Sequence, residues 1–263
     1  MLRFTWLIVA LLWSSTVAAS FNHDAWDGLL KQHVVQLRNG QATQVDYTGM
    51  RRDRAELKRY LQSVSRVPRA DFDRWSRDDR LAFLINAYNA YTVELVLTGE
   101  PGLKSIRDLG SLLQSPWKKE FIPLFGKTVS LDDIEHGMIR AGVDYQEPRI
   151  HFAVNCASIG CPALRREAYI GTRLDEQLAD QTVKFLSDRQ RNRLRGRELE
   201  VSSIFKWYRE DFEKGWGGYR SLSAFLAAHA DALGLTRPQA AHLLRGDFEV
   251  TFLDYDWRLN RKP

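Results

Sequence analysis

Residues 77–98 read RDDRLAFLINAYNAYTVELVLT. Leu81, Leu84, Ile85, Tyr88, Thr92, Leu95 and Val96 recur at the three- and four-residue steps of an α-helix, and Gly99 follows as a stop. The apolar arc is too wide for a helix with one face in water, so this helix is expected to pack on more than one side. Towards the N-terminus, Trp26, Leu29, Leu30, Val34 and Leu37 give helical spacing over residues 21–37, ended by Asn39 and Gly40, and a second helix is expected over residues 51–64. Towards the C-terminus the character changes. Residues 121–124 and 128–131 flank Gly126 as a hairpin, and Ser130 with Asp133 can cap a helix over residues 131–141. Residues 149–155 alternate and read as a strand, helices are expected at 174–188, 203–212, 221–232 and 238–244, and residues 248–255 close the chain as a strand. Helices without a regular strand–helix–strand alternation imply an α+β fold, helix-rich around one long buried helix, with a small and mostly antiparallel sheet. That outline is compatible with papain-like or transglutaminase-like architecture.

The content of apolar residues, 44% with 11% aromatic, excludes disorder. No repeat or long Pro/Gly/Ser linker divides the chain, so residues 20–263 are expected to form a single domain. Residues 1–19 have the three parts of a secretory signal peptide: Arg3, an apolar run over residues 4–13, and the small-residue stretch Val17, Ala18 and Ala19. An apolar run of about ten residues is too short to anchor the chain, because crossing the hydrocarbon core takes about twenty. Cleavage after Ala19 would leave a periplasmic or secreted protein, and no other segment reads as membrane-spanning. The net charge of +5 is well mixed, and its only basic cluster, residues 189–197, reads as a solvated loop. Without a dense basic block interleaved with aromatics, no nucleic-acid role is expected, and the partner is an envelope substrate or protein.

The chemistry is concentrated around two cysteines and six histidines. On a strand over residues 149–155, Arg149, His151 and Asn155 would share a polar face, while Ile150, Phe152, Val154 and Cys156 face the core. Cys156 then ends the strand, at the turn that holds Ser158. Pro162 suits the first position of a helix, which would put Cys161 at its N-cap. The pair has two readings, a disulfide across the turn or a reactive thiolate with a histidine base. The five-residue spacing does not suit zinc, and no metal or cofactor is expected. His151 and His136 are the candidate bases. Glu135 beside His136, or Asp254 at the end of the last strand, could orient one of them. His23, His33, His229 and His242 read as surface residues. Asn86 and Asn89, three apart on the central helix, read first as hydrogen-bonded polar glue and second as orienting groups.

Five segments, beginning Leu81-Ala-Phe-Leu-Ile-Asn86, Leu131-Asp-Asp-Ile-Glu-His136, His151-Phe-Ala-Val-Asn-Cys156, Ile204-Phe-Lys-Trp-Tyr208 and Phe252-Leu-Asp-Tyr-Asp-Trp257, resemble the successive motifs of the domain of unknown function family 547. The resemblance covers about residues 78–257. That family occurs in exported bacterial proteins and at the C-terminus of plant leucine-zipper proteins, and it implies no activity. In the plant pattern the position of Cys156 is again Cys and that of Cys161 commonly Ser. The resemblance therefore puts Cys156 ahead of Cys161 as nucleophile and weakens an obligatory disulfide. The resulting expectation is a thiol-dependent hydrolase or acyltransferase using Cys156 with His151 or His136. Its alternative is a non-catalytic binding or scaffold module with structural cysteines.

Overall fold

The computed structural model describes residues 20–111, 114–141 and 144–263; the leader expected at residues 1–19 lies outside them. Helix α1 (Asp24–His33) buries Trp26, Leu29, Leu30 and His33 on one face. The expected continuation to residue 37 is instead strand β1 (Val34–Leu37), because two β-branched valines follow the last helical turn. Asn39 and Gly40, both at positive φ, turn the chain back into β2 (Ala42–Val45), antiparallel to β1 with Val34 opposite Val45. Residues 51–64 resolve into α2 (Tyr47–Arg52) and α3 (Arg54–Ser65), with α4 (Arg69–Phe72) leading to the central helix.

That helix, α5 (Arg77–Gly99), starts where Ser76 accepts the amide of Asp79, and is buried on nearly every face from Leu81 to Leu97. By length and mean hydropathy (1.2) it could also cross a membrane. Its burial, 89% of the most apolar window, makes it a core helix. The hairpin β3 (Ile122–Leu124) and β4 (Lys127–Val129) forms as expected, and Ser130 and Asp133 cap each other's amides at 2.8 and 3.1 Å. The turn they start winds as a π-helix, Asp133–Arg140.

Residues 149–155 are not a strand. Pro148 opens a 3-10 helix (Pro148–Phe152) whose amide at Arg149 is capped by Glu147. Alternation marks a strand only when one face is wet, and here His151 and Phe152 are both buried. After α6 (Leu174–Ser187), the basic stretch expected to be a loop contains β5 (Arg193–Arg195), antiparallel to β6 (Glu198–Ser202). The expected helices over 203–212 and 221–232 are each broken, into α7 (Ile204–Trp207) and α8 (Arg209–Glu213), and into α9 (Leu222–Ala228) and α10 (Ala230–Leu233). Helix α11 (Arg237–Leu244) precedes β7 (Glu249–Leu253), which runs parallel to β6. The fold is α+β in a single domain, with three antiparallel strand pairs and one parallel pair among the described residues.

Its interior has two apolar clusters. One surrounds α5; the other gathers Phe152, Phe185, Phe205, Phe212 and Phe225. Ile150 and Ala153 belong to the first and Phe152 to the second, so the segment leading to the cysteines lies on the seam.

Candidate active-site cleft

Asn89 of α5 holds the cysteine segment much as a neighbouring strand would. Its Nδ2 donates to the carbonyl of Ala153 (3.0 Å) and its Oδ1 accepts from the amide of Asn155 (2.8 Å). Asn86, one turn earlier, brackets Tyr169 in the same way. Both amides are therefore the polar glue expected of them. Asn155 passes the restraint on: its Oδ1 accepts from the amide of Ala157 at positive φ, and its Nδ2 donates to the carbonyl of Pro162 (2.7 Å). The tight loop brings the α-carbons of Cys156 and Cys161 to 6.0 Å, and the two are joined as a disulfide. No helix follows Pro162, so the expected N-cap position of Cys161 does not exist.

The loop is fixed from two further sides. Tyr255 places its hydroxyl 3.1 Å from both sulfurs, over Gly160, where any Cβ would meet its ring at 2.9 Å. Arg191, from the supposedly solvated basic stretch, is largely buried and donates to the carbonyls of Cys161 (3.0 Å) and Ile159. Ser158 is buried with its Oγ unpaired among the described residues.

Cys156 and Cys161 line a cavity of about 200 Å³ together with His151, His136, Glu135, Asp132 and Tyr88, walled by Trp117, Trp207, Tyr208, Tyr255 and Trp257. Four of the five catalytic candidates, Cys156, His151, His136 and Glu135, thus meet in one cleft. Asp254 is exposed and outside it, and Arg149 is engaged elsewhere by Glu147 and Asp175 at 2.7 Å each.

The two histidines differ in what their rings can do. His151 is buried, stacked on Tyr208 with centroids 3.9 Å apart, and its Nε2 lies 2.7 Å from Oδ2 of Asp211. Burial would raise the carboxyl of Asp211, but hydrogen bonds from His151, Arg140 and Lys214 hold it far below the usual carboxylate range. An ionised Asp211 only accepts, so Nε2 of His151 carries the proton and Nδ1 is the basic nitrogen. Burial also keeps the His151 imidazole below its ordinary pKa, outweighing the pull of Asp211. The ring is therefore a neutral base at pH 7. His136 has its Nδ1 2.7 Å from Arg140, which can only donate, so that nitrogen's lone pair is already engaged. Asp211 lies within the helix expected over residues 203–212, among Phe205, Tyr208 and Phe212. A carboxylate three residues after Tyr208, inside an aromatic stripe, was the available signal.

Residues 72–186 match the family described as "Protein of unknown function, DUF547". This stretch is a DUF547 domain. It carries Tyr88, the carboxylates, both candidate histidines and both cysteines, whereas Asp211 and the walls from Trp207, Tyr208, Tyr255 and Trp257 lie beyond the DUF547 match. Neither a curated protein nor a solved structure matches the chain.

Proposed function

We propose that the cleft is the active site of a thiol-dependent hydrolase or acyltransferase whose resting form is the Cys156–Cys161 disulfide. The carrying observation is that His151, held by the buried carboxylate of Asp211, lines the same cleft as both cysteines. A dithiol reductant would convert the disulfide to two thiols and become a disulfide itself. Cys156, the more exposed of the pair, would then attack an acyl carbonyl while its proton passes to Nδ1 of His151. The same nitrogen would protonate the departing alcohol or amine, leaving a thioester that water or a second nucleophile resolves. The leader expected at residues 1–19 would place this chemistry outside the cytoplasm, where a resting disulfide persists.

After reduction with a phosphine, iodoacetamide should label Cys156 ahead of the buried Cys161, with a rate that persists below pH 6.5 because His151 remains neutral there. His151→Ala and Asp211→Asn should each slow labelling at least about tenfold, a threshold set below the roughly hundredfold low end of general-base assistance. Equal labelling of both thiols, at rates untouched by either substitution in folded protein, would overturn the proposal. The second reading, a binding module with a structural disulfide, is favoured by the contact of Tyr255 with both sulfurs. It predicts that reduction costs stability of about 2 kcal/mol, the entropy of so short a loop, and exposes no fast thiol.

A further inference from the structure

Glu135 is 5% exposed, lines the cleft, and has no hydrogen-bond partner at Oε1 among the described residues. Tyr88 and Tyr208 line the cleft beside it, and burial together with this negative neighbour raises the pKa of both hydroxyls. Among the described residues, Arg140 makes its hydrogen bonds to Asp211 and His136, Lys214 pairs with Asp211, and Lys118 stands near Asp132 and not on Glu135. A buried carboxylate oxygen without a donor is costly to leave so, and Glu135 lines a cleft large enough for a ligand. Asp132 adds a second carboxyl, half-buried and pushed above its ordinary pKa by that burial, 3.9 Å from Nε2 of His136. Much of the remaining wall is aromatic, and Trp207, 47% exposed, stacks on Trp257. Carboxylates repel an anion, and a neutral ligand would leave the charge of Glu135 uncompensated. A cation with N–H donors satisfies Oε1 and gains the attraction of the rings.

We propose that the cleft takes a ligand bearing a primary alkylammonium group, with the ammonium on Glu135 and Asp132 and its aliphatic stem along Trp207 and Tyr208. This names the substrate class for the cleft and rests on reading it as the substrate site. Binding can be measured on the oxidised protein, where neither thiol is free, so its outcome is separate from that of the thiol chemistry. The probes are Nα-acetyl-lysine amide, its Nε-acetylated neutral counterpart and choline, titrated by calorimetry and by the fluorescence of the cleft tryptophans. The lysine amide should bind saturably and at least about tenfold more tightly than either other probe, since one keeps the stem without the charge and the other the charge without N–H donors. Glu135→Gln, nearly isosteric, should weaken the lysine amide by a similar factor and leave the neutral compound unaffected. Equal affinity for charged and neutral compounds on wild-type protein, choline binding as well as the lysine amide, or an unchanged affinity in folded Glu135→Gln would each overturn the proposal. So would an absence of saturable binding.

Discussion

His23 illustrates how far a single side chain can depart from its sequence neighbourhood. It sits between Asn22 and Asp24 and reads as a surface residue, yet it is 9% exposed and its Nδ1 lies 2.8 Å from the hydroxyl of Tyr60. His33, also read as surface, is buried 2.8 Å from Asp53. Each partner is twenty or more positions away, so no local pattern announces it. Desolvation lowers the pKa of His23 from 6.5 to about 4, against the weaker pull of Asp24. Because the folded value lies below the unfolded one, the unfolded chain takes up the proton first. Stability from this residue is complete above pH 6.5 and is lost as pH falls towards 4, by about 3 kcal/mol. In urea titrations of wild type and His23→Gln, the difference in unfolding free energy should shift in the variant's favour by that amount between pH 7 and 4. A difference independent of pH would mean that His23 is solvated. The same limit hid Asp211: the carboxylate was visible, but the histidine it holds is 60 positions earlier.

Among the elements, α5 was legible because burial on all sides leaves a long apolar signature that tolerates few alternatives. The segment holding His151 was not, because a short apolar alternation is equally compatible with a 3-10 turn when every residue is buried. Charge hid β5 instead: it lies in the basic stretch 189–197 read as a loop, and its Arg193 pairs with Glu200 of β6 as charged neighbours across the hairpin. Cys156 and His151 nevertheless reached one cleft, though not by the strand parity that suggested it. The brackets from Asn89 and Asn155 set the cysteine loop instead. Energetic weight follows burial. Leu84→Ala and Leu95→Ala, each 1% exposed, should lower stability by about 2 to 5 kcal/mol through lost transfer energy and unfilled volume. Val183→Ala on α6, 50% exposed, should stay within about 0.5 kcal/mol of wild type. Denaturant midpoints read both, and unchanged midpoints for the two leucine variants would mark α5 as peripheral.

At the scale of the whole molecule, the cleft lies where the two apolar clusters meet, and its walls come from chain as distant as Tyr88 and Trp257. The C-terminal segment ties these parts together after the last strand has ended. The amides of Ile159 and Gly160 donate to the carbonyls of Arg258 and Asp256, and the amide of Asn260 donates to that of Ala157. Further on, Leu259 and Asn260 reach Lys104 and Val45, and the side chain of Asn260 accepts from the hydroxyl of Tyr47 at 2.7 Å. A chain ending at Asp254 would lose these bonds, the burial of Leu259, and the Tyr255 and Trp257 walls. At about 1 kcal/mol for each of these six hydrogen bonds, the loss is about 6 kcal/mol, the size of the whole stability of a modest domain. Such a truncation should melt without the cooperative transition of the full chain, by far-ultraviolet circular dichroism and tryptophan fluorescence alike, although every residue of the DUF547 match is retained. If instead it unfolds cooperatively at the full-length midpoint, the segment only covers the cleft, and the cysteine loop is held by Asn89, Asn155 and Arg191 alone.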